Sequence, residues 1–187
     1  PFETNQMIGS RARIGIVVLA TDYTIEHEMR TLINLLGVDI YHARIPNSPN
    51  ISPDSLRAME PLIPATAELI LPGDTLDVLA YACTSASIVL GTPTVAKSLN
   101  AAKPEAKTTN PAFAAFHAFH ALGAKRIAVL TPYAKKVNDM VQKSVEDAGF
   151  DVPVFGSFNE PHDPTVAAID SQSLKAAIAK ITTGHDV

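Results

Sequence analysis

Short apolar, β-branched runs alternate along the chain with stretches in which apolar residues recur at helical spacing. Arg13-Ile14-Gly15-Ile16-Val17-Val18-Leu19 is such a run and reads as a buried strand. A helical pattern follows through Ile25, Met29, Leu32, Ile33 and Leu36, with Thr24 as its expected cap and Gly37 as its expected end. Val38 to Ile45 alternates like a second strand, and residues 55–69 are a helix candidate that Pro61 and Pro64 must shorten, kink or begin. Asp77 to Ala82 is another buried strand, and it delivers Cys83-Thr84-Ser85-Ala86-Ser87 at its end. Helical spacing returns from Pro111 through Leu122 and stops at Gly123. Strand, turn and helix in this order predict an α/β fold with parallel sheets flanked by helices, whose ligands sit at the carboxyl ends of the strands.

The pattern also repeats. Lys125 to Leu130 resembles Arg13 to Leu19, and the turn Thr131-Pro132-Tyr133 opens a helix closing at Gly149-Phe150-Asp151-Val152, as the first closes at Gly37-Val38-Asp39-Ile40. Ser173-Leu174-Lys175-Ala176 answers Ser55-Leu56-Arg57-Ala58, and Asp186-Val187 answers Asp77-Val78. Two related lobes are expected, residues 1–110 and 111–187. Cys83 follows Asp77 by six positions, so its counterpart would fall near position ~192. The repeat therefore predicts that the second lobe's core strand, and with it the C-terminal part of the fold, lies beyond Val187.

Composition narrows the chemistry. Of 187 residues, 47% are apolar and 18% charged, enough apolar material for a core and against disorder. A net charge of −4 supplies no basic field for nucleic acid. The single cysteine excludes an intrachain disulfide and a cysteine-built zinc site. The sequence holds no apolar run near the roughly 20 residues of a membrane span, and its acidic start is no signal peptide, so a soluble cytoplasmic protein is expected.

Cys83 is the leading chemical candidate. A helix start lowers a thiol's pKa and binds carboxylates, and Thr84 and Ser85 would add hydroxyl donors. A small buried hydrophobe is an equal reading of position alone. Asp22 shares the sheet's rim and reads as a turn or capping residue, Tyr133 as a substrate contact or a packing residue. His117 and His120 share a helix face without an evident third metal ligand. Neither a Gly-x-Gly-x-x-Gly fingerprint, nor a phosphate loop, nor a Gly-x-Ser-x-Gly elbow occurs, which leaves a cysteine reaction without cofactor or metal.

At Leu19-Ala20-Thr21-Asp22, Arg44-Ile45-Pro46-Asn47, Leu71-Pro72-Gly73, Tyr81-Ala82-Cys83-Thr84-Ser85 and Leu130-Thr131-Pro132-Tyr133 the chain resembles the aspartate/glutamate racemase superfamily. The likeness is to its maleate cis-trans isomerases and arylmalonate decarboxylases, with ectoine-utilisation protein A nearest. This implies cofactor-independent isomerase or racemase chemistry on a small carboxylic acid, with Cys83 as nucleophile or base. It also implies Thr84 and Ser85 in a carboxylate-binding turn, Tyr133 as a substrate contact, Thr108 and Thr109 at the second lobe's threshold, and a homo-oligomer. Asp22 and Asp163 align where the isomerases carry asparagines. An amide donates to a carboxylate whereas an ionised Asp repels it, so an ammonium-bearing acid, such as one from ectoine breakdown, is the expected substrate. Maleate isomerisation, a catalytically silent binding protein and an arylmalonate-type decarboxylase are the alternatives.

Overall fold

A computed structural model describes residues 1–4 and 8–187. The first apolar run forms β1 (Ala12–Leu19), followed by α1 (Ile25–Leu32), β2 (Val38–Ile45), α2 (Pro53–Arg57), a 3-10 turn at Glu60–Leu62, and α3 (Ile63–Glu68). Next come β3 (Val78–Ala82), α4 (Thr84–Leu90), α5 (Thr92–Ala102) and the short β4 (Lys107–Thr109). The second part runs α6 (Pro111–Ala121), β5 (Arg126–Thr131), α7 (Lys135–Asp147), β6 (Asp151–Ser157), α8 (Asp163–Ala167) and α9 (Ser171–Thr182).

The first sheet is parallel with order β2-β1-β3-β4. Ile16 of β1 lies opposite His42 on one side and Ala80 on the other. Because the chain leaves β1 for β2 and then crosses back to β3, the strand order reverses beside β1, where open sheets of this kind bind ligands. Burial matches sequence: Ile16, Val17, Val18, Leu79 and Tyr81 are all buried. Gly15 is required by packing, since a Cβ there would stand 2.6 Å from Leu76 Cδ1. The second sheet pairs β5 with β6 in parallel, and α9 lies so close that a Cβ on Gly156 would meet Ile181 Cγ2 at 3.0 Å.

One apolar core runs through both parts. Ala86 on α4 and Val137, Val141 and Val145 on α7 belong to the same buried cluster as Val17, Leu79 and Tyr81. No helix among the described residues is long and apolar enough to cross a membrane.

Several sequence expectations need correction. The first helix ends at Leu32 rather than near Gly37: the Ile33 N–H still donates to the Met29 carbonyl, but Ile33 has left helical geometry at φ −111° and ψ 86°. Gly37 instead turns the chain into β2 at φ +76°. Thr24 does not cap α1 with its side chain; Asp22 Oδ1 does, accepting from the Thr24 and Ile25 N–H groups at 2.8 and 2.9 Å. Residues 55–69 are not one helix. Pro53 starts α2, Pro61 falls in the 3-10 turn and Pro64 sits in the first turn of α3, each where a missing N–H is tolerated.

Candidate active site

Three parallel strands end on one rim, so the loops after β1, β2 and β3 converge without any special sequence signal. Cys83 follows β3 directly. Its extended backbone (φ −140°, ψ 109°) makes it the cap of α4, and its Sγ accepts the Ala86 N–H at 3.4 Å. Ser85 Oγ stands 3.7 Å from Sγ, and Ser87 Oγ donates to the Cys83 carbonyl at 2.6 Å. Only 5% of Cys83 is exposed.

The loop after β1 is fixed from two directions. Arg44 Nη1 donates to the Leu19 and Asp22 carbonyls at 3.1 and 2.6 Å, while Nη2 reaches Glu26 Oε1 at 2.7 Å. The Thr21 N–H donates to Asn47 Oδ1, and Asn47 Nδ2 donates back to Thr21 Oγ1 at 2.8 Å. Thr21 Oγ1 in turn donates to Asp163 Oδ2, which joins the rim of the first sheet to a residue 142 positions away.

Asp163 arrives there by a backbone bridge. After β6 the chain turns at Asn159, whose φ of +54° is a conformation asparagine tolerates. Asn50 and His162 then pair antiparallel, with the Ile51 N–H donating to the Pro161 carbonyl at 2.7 Å and the Asp163 N–H to the Pro49 carbonyl at 2.8 Å. Leu19, Asn47, Ser48, Met59, Cys83, Ser85 and Asp163 thus line one crevice. Its free volume is about 10 Å³, room for a single water, so a carboxylic acid enters only if the crevice widens.

Electrostatics correct the expected thiol. Burial pushes the Cys83 thiol above its ordinary value, the Ala86 N–H and the Ser85 hydroxyl pull it back, and the carboxylates of Asp163 and Asp22 push it up again. Desolvation therefore outweighs the short helix's donors, contrary to the lowered value expected from a helix start. Tyr133 is shifted up mainly by burial and then by Cys83 and Asp163, against the Ser85 hydroxyl. It therefore stands beside the same cluster. Its carbonyl is held by Asn138 Nδ2 and Ser157 Oγ, both at 2.6 Å, which fixes the turn after β5.

The six residues expected beside the catalytic cysteine part company here. Ser85 and Asp163 share the crevice with Cys83, and Asp22 acts on the thiol while capping α1. Thr84 lines a neighbouring, largely apolar cavity of about 280 Å³ between α6 and β5, and Tyr133 borders that cavity while standing beside Cys83 and Ser85. Thr109 ends β4 opposite Ala80 and lines neither space. Sequence reading missed Thr21, Asn47 and Ser48 as site residues; their signal was position alone, directly after the strand ends. His117 and His120 pack on aromatic rings, 4.2 Å from Phe113 and 4.7 Å from Phe150.

The chain is 27% identical over 179 residues to a maleate isomerase of Pseudomonas putida, covering 89% of this chain and 71% of that protein. It is 28% identical to a maleate isomerase of Nocardia farcinica, covering 88% and 69%. Among solved structures it resembles the maleate isomerase Iso of Pseudomonas putida S16, with TM-score 0.82, 25% identity, and 92% of this chain and 74% of that one covered. A cysteine-to-serine variant of the Nocardia farcinica maleate cis-trans isomerase, described with a covalently bound succinylcysteine intermediate, gives TM-score 0.81, 25% identity and coverage of 94% and 75%. Arylmalonate decarboxylase shares the fold at TM-score 0.65 and 16% identity, covering 92% and 72%. No family model matches the chain. Over most of its length the chain is thus similar to maleate isomerases, on an α/β fold that arylmalonate decarboxylase shares.

Proposed function

We propose that Cys83 carries out cofactor-independent isomerisation or racemisation of a small carboxylic acid. The observation behind this reading is the thiol itself, held at a strand end in a polar crevice with Ser85 and Asp163 around it. The succinylcysteine described in the Nocardia farcinica enzyme supports it.

In the isomerase form, the thiolate bonds to one alkene carbon and the π pair moves to its neighbour, which takes a proton. Rotation follows about the carbon–carbon bond, now single. Loss of that proton and of the thiolate restores the double bond with trans geometry. In the racemase form, the thiolate removes an α-proton and a second acid returns one to the opposite face. Asp22, Thr84, Ser85, Tyr133 and Asp163 supply the substrate contacts in this reading, and residues 1–110 and 111–187 act as two lobes closing on the acid. The likeness to ectoine-utilisation protein A extends it to amino acids from ectoine breakdown, in a cytoplasmic homo-oligomer.

The test is turnover by Cys83→Ala and Cys83→Ser in the full chain, read as maleate-to-fumarate conversion and as α-deuterium incorporation by amino acids in heavy water. Both variants are expected to fold and to lose at least about 100-fold in rate. Wild-type rates in either folded variant would contradict the proposal.

A further inference from the structure

We infer that Asp163 sets the charge of the ligand the Cys83 crevice accepts, selecting an acid that carries a cationic group beside the reacting carbon and rejecting a second carboxylate there. The inference rests on Cys83 being the reactive group and assigns the ligand's charge to one specificity-determining residue.

Asp163 comes from outside the sheet that makes the rest of the crevice. Two backbone hydrogen bonds, Ile51 to Pro161 and Asp163 to Pro49, bring its loop across. Thr21 Oγ1 then holds one carboxylate oxygen, and Thr21 is itself held by Asn47. A carboxylate tied at both backbone and side chain stays beside the thiol as a fixed acceptor. The groups that act on the thiol are Asp163 and Asp22, both acidic, with the hydroxyl of Ser85 and the phenols of Tyr81 and Tyr133 around it. Arg44 is spent on the Leu19 and Asp22 carbonyls and on Glu26. The hydroxyls of Ser48 and Ser85 line the same crevice and supply donors for one carboxylate of the ligand. A second carboxylate at the Asp163 end would face like charge at short range, in a space nearly closed to water. An ammonium group would instead pair with it.

Peptide mass mapping restricts each alkylation rate to Cys83, the cysteine of this crevice. The rates of carboxymethylation by iodoacetate, carbamidomethylation by iodoacetamide and aminoethylation by 2-bromoethylamine are measured on the folded protein. Each is divided by its rate on the same protein in urea, which removes intrinsic reactivity. Folding is expected to favour the cationic reagent over the anionic one by about tenfold, with the neutral reagent between them. Asp163→Asn is expected to remove most of that ratio. A wild-type ratio of one, or one favouring iodoacetate, overturns the inference, and needs no variant to do so. So does an Asp163→Asn protein that folds and keeps the wild-type ratio, or a native thiol that none of the three reagents reaches. Loss of turnover on reaction with neutral iodoacetamide reports the role of Cys83 separately, so the two claims fail independently.

Discussion

A thiol buried like that of Cys83 holds its proton more tightly in the folded chain than in the unfolded one. Linkage then fixes a sign. With the folded value raised, the stabilisation is fully present below the unfolded thiol's value, near pH 8.5, and is lost as pH rises through the folded value. Two measurements follow at this scale. The rate of iodoacetamide labelling should rise with pH to a midpoint above that of a free cysteine, and a midpoint below it would mean that the Ala86 N–H and Ser85 outweigh burial. Urea unfolding at pH 7 and pH 10 should show the wild type losing more stability than Cys83→Ala. Sequence alone makes Cys83 a candidate by its place after an apolar strand. It does not give the thiol's protonation, which depends on Asp163 and on the depth of the crevice, both set by tertiary packing.

At the scale of elements, the loop after β1 does two jobs with one side chain. Asp22 closes the first turn of α1 and also adds negative charge near the thiol. The two roles separate by substitution, because asparagine caps a helix as well as aspartate does. Asp22→Asn should therefore leave the urea midpoint nearly unchanged, while Asp22→Ala should lower stability by about 1 kcal/mol. Equal losses in both variants would mean that the carboxylate's charge, and not its cap, holds the loop. Strands β1, β2, β3 and β5 were legible because their apolar runs are short and bounded by polar turns, whereas β4 and β6 were not read. Helix ends were less so: periodicity extended α1 through Leu36, an exposed residue that continues the pattern without touching the core. The small-residue helix α5 was not read at all, since Thr92-Pro93 at its start resembles a loop. Asp163 was named from resemblance, but the reason it matters, a bridge between Asn50 and His162, joins segments more than a hundred residues apart. Local pattern carries no such information.

For the molecule as a whole, the fold places the candidate site's rim on a parallel sheet and brings a second wall to it from a distant loop. Rigidity comes from close packing at β1, where Gly15 lets Leu76 and Leu79 approach. Gly15→Ala should cost about 1–3 kcal/mol, read from urea unfolding, because the added methyl meets Leu76 at far less than contact distance. A neutral result would mean that the Leu76 side chain yields without loss. The α/β class and the repeated strand–helix order were visible in the chain, since both follow from periodicity. The closure of the 158–164 loop over the rim was not. The central claim, that the Cys83 thiol carries the reaction, is tested most directly by titrating the native enzyme with iodoacetamide while following turnover and mapping the label by peptide mass. Activity is predicted to fall in proportion to label on Cys83 and to vanish at one equivalent. Full labelling of Cys83 with turnover intact would contradict it.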